Sequence, residues 1–393
     1  MNEESVFLLK MLSGFIRGEA PGEFVGDGKK LAQLAEIHKV AGIAGYMLRK
    51  YPQPAAAEVS PFLWQCCLDS ILTFTGRNEH MKELNSLFSA EGIDMVLFKG
   101  YVLKDLYPVP ELRSFYDIDF LIHSSDRQRA DDLMVKKGYA RKTDWEPVYS
   151  YYKGNEFYEI HTDIMEVSVS DTADQNEYFR NIWNYTFKTG EHTYQILPEY
   201  HLLYLLTHIA KHINNSGAGI RMYMDIAVFL RHYGNTLSTK IVECELEKLG
   251  LSKFAGTVFA LIERFFGEKS PFNLPEPEQS VLDGFAEYTV SGGIFGKYGR
   301  DPGLLTVNKR NKNRKKSSKI LAFIKELFPS VKNMQKKYTY LKKFPWLIVF
   351  AWFHRFFVTR KEFKMHFREL TGIFKSKPAE IEGLKKLIKD IGL

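Results

Sequence analysis

No run of the chain reaches the roughly 18 consecutive apolar residues that a helix needs to cross a bilayer. Its opening, Met1-Asn2-Glu3-Glu4, is acidic where a secretory leader would be basic. A cytoplasmic protein is the expectation. Cysteine is scarce: Cys66, Cys67 and Cys244 are alone in 393 residues, and their spacing fits no metal-ligand pattern. Cys66 and Cys67, adjacent on a helix, point apart, so buried, reduced thiols are expected. Acid is absent from one stretch, where Lys309, Arg310, Lys312, Arg314, Lys315, Lys316 and Lys319 place seven cations in eleven residues. Lys plus Arg exceed Asp plus Glu by 54 to 47, so this stretch alone accounts for the net charge of +7. A solvated loop is the expectation, with contact to nucleic acid or anionic lipid as the alternative. Wholesale disorder is excluded, because 45% of residues are hydrophobic, and the length suffices for two or three domains.

What is present centres on Tyr116-Asp117-Ile118-Asp119-Phe120-Leu121-Ile122. Side chains alternate along a strand, which gives Tyr116, Ile118, Phe120 and Ile122 one apolar face and sets Asp117 and Asp119 together on the other. Two like charges held that close need a cation. The segment 157–164 repeats the pattern, with Tyr158, Ile160 and Ile164 on one side and Glu159, His161 and Asp163 opposite. If the two strands are neighbours, three or more carboxylates converge. Hard oxygen ligands of this kind suit Mg²⁺ or Mn²⁺, and such ions are the usual means of neutralising charge in phosphoryl transfer.

Met95 to Phe98 is a short apolar run fit for a buried strand, and after Lys99-Gly100 the residues Tyr101, Val102, Leu103, Leu106 and Tyr107 fall at helical spacing. A strand that delivers glycine into a helix start can cradle phosphate, with Lys99 or Arg113 adding charge. Leu97-Phe98-Lys99-Gly100, Arg113, Asp117-Ile118-Asp119, the Ala130–Tyr139 helix and Tyr158-Glu159-Ile160-His161 together resemble the bacterial uncharacterised nucleotidyltransferase family, over residues 30–240. The resemblance implies an α/β (α+β) mixed sheet with helices, Asp117, Asp119 and Glu159 as catalytic metal ligands for Mg²⁺ or Mn²⁺, and an NTP as substrate. The superfamily's signature has glycine followed by Gly or Ser. Here Tyr101 follows Gly100, and Asp117 lies seventeen positions beyond Gly100.

Around this centre, residues 1–92 read as a helical segment, with a stripe from Leu31 to Leu48 and a long helix opened by Pro61 and stopped by Gly92. His38, on the apolar stripe, is expected to be a satisfied core histidine. The catalytic domain is expected over 93–197, with a helix ending at Gly138, a 148–153 strand turned at Gly154-Asn155 into 157–164, and a short strand at 193–197. From Pro198 to 295 the period is helical, and the resemblance implies a helical domain that closes the cleft. It carries His208 and His212 at a spacing that zinc can use, though no Glu accompanies them, and Arg221 with Asp225 as an i, i+4 pair. The resemblance marks Lys211 and Arg221, with Lys99, Gly100 and Arg113, as nucleotide contacts. A basic loop (296–319) and a C-terminal helical segment (320–393) follow. The apolar 344–353 stretch is expected to pack on other helices rather than rest on a membrane. The function implied is transfer of a nucleoside monophosphate from an NTP to an unidentified acceptor, be it protein, RNA or small molecule. The alternative is a non-catalytic nucleotide- or nucleic-acid-binding module that keeps the fold; a metal-dependent phosphohydrolase is a weaker third.

Overall fold

The computed structural model describes residues 1–165, 169, 173–215, 217–293, 328–335, 338–358 and 378–393. The basic run 309–319 lies outside the described residues. A mixed seven-stranded sheet is flanked on both faces by helices. Its strands are β1 (Met95–Leu97), β2 (Ile118–Leu121), β3 (Ala140–Trp145), β4 (Val148–Lys153), β5 (Glu156–His161), β6 (Thr186–Lys188) and β7 (Thr193–Ile196), in the spatial order β3-β4-β5-β2-β1-β7-β6. The hairpin turn at Gly154-Asn155 is borne out: β4 and β5 are antiparallel and Gly154 takes φ +58°. β2 and β5 are parallel neighbours, with Asp119 directly beside Glu159.

Period-2 alternation sorts the sheet into two cores. Met95, Leu97, Ile118, Phe120 and Ile160 point to the helices α4 (Ser60–Ala90) and α6 (Arg127–Lys136), where Phe88 meets Phe120 edge to face at 5.4 Å. Val96, Phe98, Leu121 and Ile196 point to the opposite face. That larger core joins α1 (Glu3–Arg17), α2 (Gly28–Ile37) and α3 (Ala41–Lys50) to α8 (Pro198–Asn215), α9 (Ile220–Tyr233), α10 (Thr239–Lys248) and α11 (Ser252–Phe266). The remaining short helices before α8 are α5 (Gly100–Leu103) and α7 (Gln175–Phe179). Tyr116 does not join the apolar face expected of it. It precedes β2 and is 65% exposed.

The stripe from Leu31 to Leu48 is two helices rather than one. The chain breaks after α2, with Lys39 at φ +58°, and the break turns His38 fully inward. There its Nε2 lies 2.9 Å from the Val290 carbonyl, and its Nδ1 accepts from the Ile220 amide at 3.3 Å. Both ring nitrogens are satisfied only in the neutral ring. Of the cysteines, all free, Cys67 is buried as expected, but Cys66 is half-buried and Cys244 exposed. In the 344–353 stretch, Leu347, Ile348, Ala351 and Trp352 pack on Met334, Tyr338 and Leu341, whereas Trp346, Phe350 and Phe353 are exposed. Among the described residues no helix is long and apolar enough to cross a membrane.

Burial pushes the His38 imidazole down to about 4, against the partial support of its Val290 bond. An unfolded His38 takes up its proton near pH 6.5, so below that pH the unfolded chain binds more protons and stability falls as pH falls. Wild type is expected to lose about 2 kcal/mol more than His38→Gln between pH 7 and pH 5. Urea midpoints at the two pH values check this; equal losses would contradict it.

Candidate active site

The site is built where β2 and β5 run side by side. Strand parity points Asp119 and Glu159 to the same face, and His161, two residues on from Glu159, joins them. One ligand atom from each of Asp119, Glu159 and His161 lies within 4.8 Å of the others, and these three form the metal-competent group among the described residues. Asp117 lies on the approach to β2, partly exposed, and lines the same cleft. The cleft, about 400 Å³, has the strand ends as its floor and Leu205, His208, Lys211, His212 and Arg221 of α8 and α9 as its roof.

The cation demanded by the acidic pair is already supplied from within the chain. Lys99 Nζ donates to Asp119 Oδ1 at 2.7 Å, and His161 Nε2 lies 2.9 Å from the same oxygen. Burial opposes the charges on Asp119 and Lys99, yet each holds the other ionised. Lys99 and His161 keep the Asp119 carboxyl far below the ordinary carboxylate range, and Asp119 with its acidic neighbours holds the Lys99 ammonium well above its usual value. Asp117 moves the opposite way, raised by burial and then by the charge of Asp119. Two adjacent carboxyls thus differ in proton affinity, an arrangement that enzymes use to divide roles.

Lys99 reaches Asp119 through an unusual backbone. Its φ of +54° and ψ of −134° belong to a region where glycine is the usual occupant. Gly100 then opens α5, and a Cβ there would overlap Arg113 Nη1. The residue held at positive φ in this turn is thus Lys99, one position before the glycine that opens α5. The expected phosphate cradle changes with it: α5 has four residues, too few for much of a dipole, so charge for an anion has to come from side chains.

Arg113 is such a side chain only in part. It is buried and bidentate to Asp225, with Nε to Oδ1 at 3.1 Å and Nη2 to Oδ2 at 2.7 Å, while Tyr107 donates its hydroxyl to the same Asp225 at 2.7 Å. Asp225 is thus taken by Arg113, not by Arg221 as the i, i+4 spacing predicts. Arg221 donates instead to the Ser114 carbonyl and hydroxyl. Burial and the nearby Arg113 push the Arg221 guanidinium down to about 10. His208 and His212 face each other, Nε2 to Nε2 at 3.1 Å. Burial lowers both, His212 to about 4, so the pair is neutral near pH 7 and shares a hydrogen bond. The sequence suggested only a zinc role for these histidines, and it placed Tyr107 in a helical pattern with no hint of its bond to Asp225.

The donor set fits a divalent cation. Asp119 and Glu159 offer hard oxygens with Asp117 beside them, and His161 adds a nitrogen that Mn²⁺ tolerates better than Mg²⁺ does. This geometry, a mixed sheet with in-register acids under a helical roof, is consistent with the nucleotidyltransferase class. The family described as uncharacterised nucleotidyltransferase matches residues 26–267, and the chain belongs to it. Comparison with curated proteins and with solved structures gives no match.

Removing either partner of the Lys99–Asp119 pair strands a buried charge, which costs about 3 kcal/mol or more. Lys99→Met and Asp119→Asn are each expected to destabilise by that order, and the double variant by less than the sum. A urea double-mutant cycle giving strictly additive losses would contradict the pairing.

Proposed function

We propose that the chain transfers a nucleoside monophosphate from an NTP to an acceptor hydroxyl. The observation that carries this reading is the in-register placement of Asp119 beside Glu159 in a cleft also lined by Lys99, Lys211 and Arg221. Carboxylates alone would repel a triphosphate; carboxylates with cations facing them across a cleft suit one bound together with a divalent ion. A cation held by Asp119, Glu159 and Asp117 would screen the phosphate charge.

The chain's own residues supply the rest. Arg221 and Lys211, on the roof, meet phosphate oxygens. His161 holds Asp119 in place through the 2.9 Å contact. Glu159, whose side chain is 26% exposed, stands on the open side, where it receives the proton of the acceptor hydroxyl. The bond formed is acceptor oxygen to α-phosphorus, and the bond broken releases pyrophosphate. The alternative, a non-catalytic nucleotide- or nucleic-acid-binding module, is favoured by Tyr101 standing where the signature has Gly or Ser after Gly100.

Calorimetry tests the reading. NTP with Mn²⁺ is expected to bind the wild type, to lose at least tenfold in affinity in Asp117→Asn with Asp119→Asn, and to keep its affinity within a few-fold in Glu159→Gln. Each variant is first shown by circular dichroism to be folded. Metal-dependent NTP binding that survives the double substitution unchanged would refute the assignment.

A further inference from the structure

A second cavity, of about 460 Å³, lies beside the acidic cleft, walled by α4, by residues 111–116 and by Lys39. Arg113, Phe115, Tyr116 and Arg221 line both spaces, so the two share a wall. A volume of this size suits one small molecule.

The chemistry of the lining is specific. Lys39 and Arg77 both face this space, and among the described residues neither forms an ion pair. Arg77 lies over the Phe115 ring at 5.2 Å, and the charge of Asp117 reaches it, which places it close to the acidic cleft. Arg221, in the shared wall, keeps a buried Nε with no hydrogen-bond partner. Arg113 is committed to Asp225. The acids of the lining are Asp69 and Glu111, and Asp69 already accepts from Gln65. Phe74, Phe115 and Tyr116 provide the apolar surface, and Tyr116 is exposed despite its size. Lys39 is held on this wall by a left-handed backbone, the second such non-glycine residue after Lys99, and the Ser114 hydroxyl bonds its carbonyl at 2.7 Å.

We propose that this cavity binds the acceptor, and that the acceptor is a small hydroxyl compound bearing a phosphomonoester, its dianion between Lys39 and Arg77 and its body against Phe115 and Tyr116. The proposal rests on the acidic cleft being the NTP site. Transfer between two substrates needs two adjoining sites with the reacting atoms brought together at the shared edge, and the shared wall provides that. The acceptor oxygen bonds to the α-phosphorus, the bond from that phosphorus to the bridging oxygen breaks, pyrophosphate departs and the hydroxyl proton goes to Glu159. A nucleic acid is a poorer occupant. Its continuous backbone would run past Asp69 and Glu111, which repel it, and the cavity holds only one small unit.

Phenyl phosphate, which combines a phosphomonoester with a ring, serves as probe for the full-length protein. Calorimetric titrations are run with the cleft saturated by an α,β-methylene NTP analogue and Mn²⁺, and again without nucleotide. Phenyl phosphate is expected to bind in both cases. Its affinity should fall at least tenfold in Lys39→Ala with Arg77→Ala and only a few-fold in Arg77→Lys, while affinity for the NTP analogue changes less than twofold. Unaltered phenyl phosphate binding in the double variant would overturn the proposal. So would an equal loss of NTP-analogue affinity, or displacement of the probe by the analogue, either of which gives the cavity to the nucleotide. Failure of the analogue to bind wild type would instead refute the cleft reading, and the nucleotide-free titration would still report on the cavity.

Discussion

Asp119 is only 4% exposed, and an isolated carboxylate so buried would take up a proton rather than remain charged. It stays ionised because Lys99 and His161 meet the same oxygen from two directions. Much else follows from that requirement. Lys99 has to leave β1 in a backbone conformation suited to glycine in order to reach it, and His161 has to sit two residues beyond Glu159 on a strand parallel to β2. The acidic cluster is therefore organised by the chain's own side chains. An incoming divalent ion would compete with an ammonium that already occupies the position of the counter-charge.

The helical roof is tied to the sheet by a similar arrangement. Asp225 of α9 receives Arg113 and Tyr107, both from the segment between β1 and β2. Arg113 passes so close to Gly100 that a Cβ there would overlap its guanidinium as it lies, and this links the roof to the β1–α5 turn that carries Lys99. Arg221, left without a carboxylate of its own, lines the cleft and donates to Ser114 instead. The α2–α3 break is part of the same scaffold: neutral His38 joins the N-terminal helices to the start of α9 and the end of α12 (Gln279–Ser291) through Ile220 and Val290.

The alternation in 116–122 and 157–164, with the Gly154-Asn155 turn, was enough to read the central strands, the common face of Asp119 and Glu159, and the hairpin that holds β5. Local periodicity encodes these features directly. Other parts depend on contacts far apart in sequence. Asp225 lies 112 positions from Arg113, and nothing near either residue signals that this partner displaces Arg221. The role of Lys99 was hidden because a lysine at positive φ breaks the local rule that would mark the turn. β3 escaped notice because Ala140 to Trp145 is largely polar, as an edge strand paired on one side can be. The uninterrupted apolar spacing from Leu31 to Leu48 hid the break between α2 and α3.

Transfer of a nucleotidyl group, as opposed to a terminal phosphoryl group or no group at all, is the proposed reaction. Wild-type protein with Mn²⁺ and cell extract, supplied in parallel with each NTP labelled at the α-phosphate and at the γ-phosphate, separates these outcomes. Label retained by an acceptor from the α-position only, with pyrophosphate released in equal amount, is the predicted result. Label arriving from the γ-position, or release of inorganic phosphate without labelled acceptor, would contradict it.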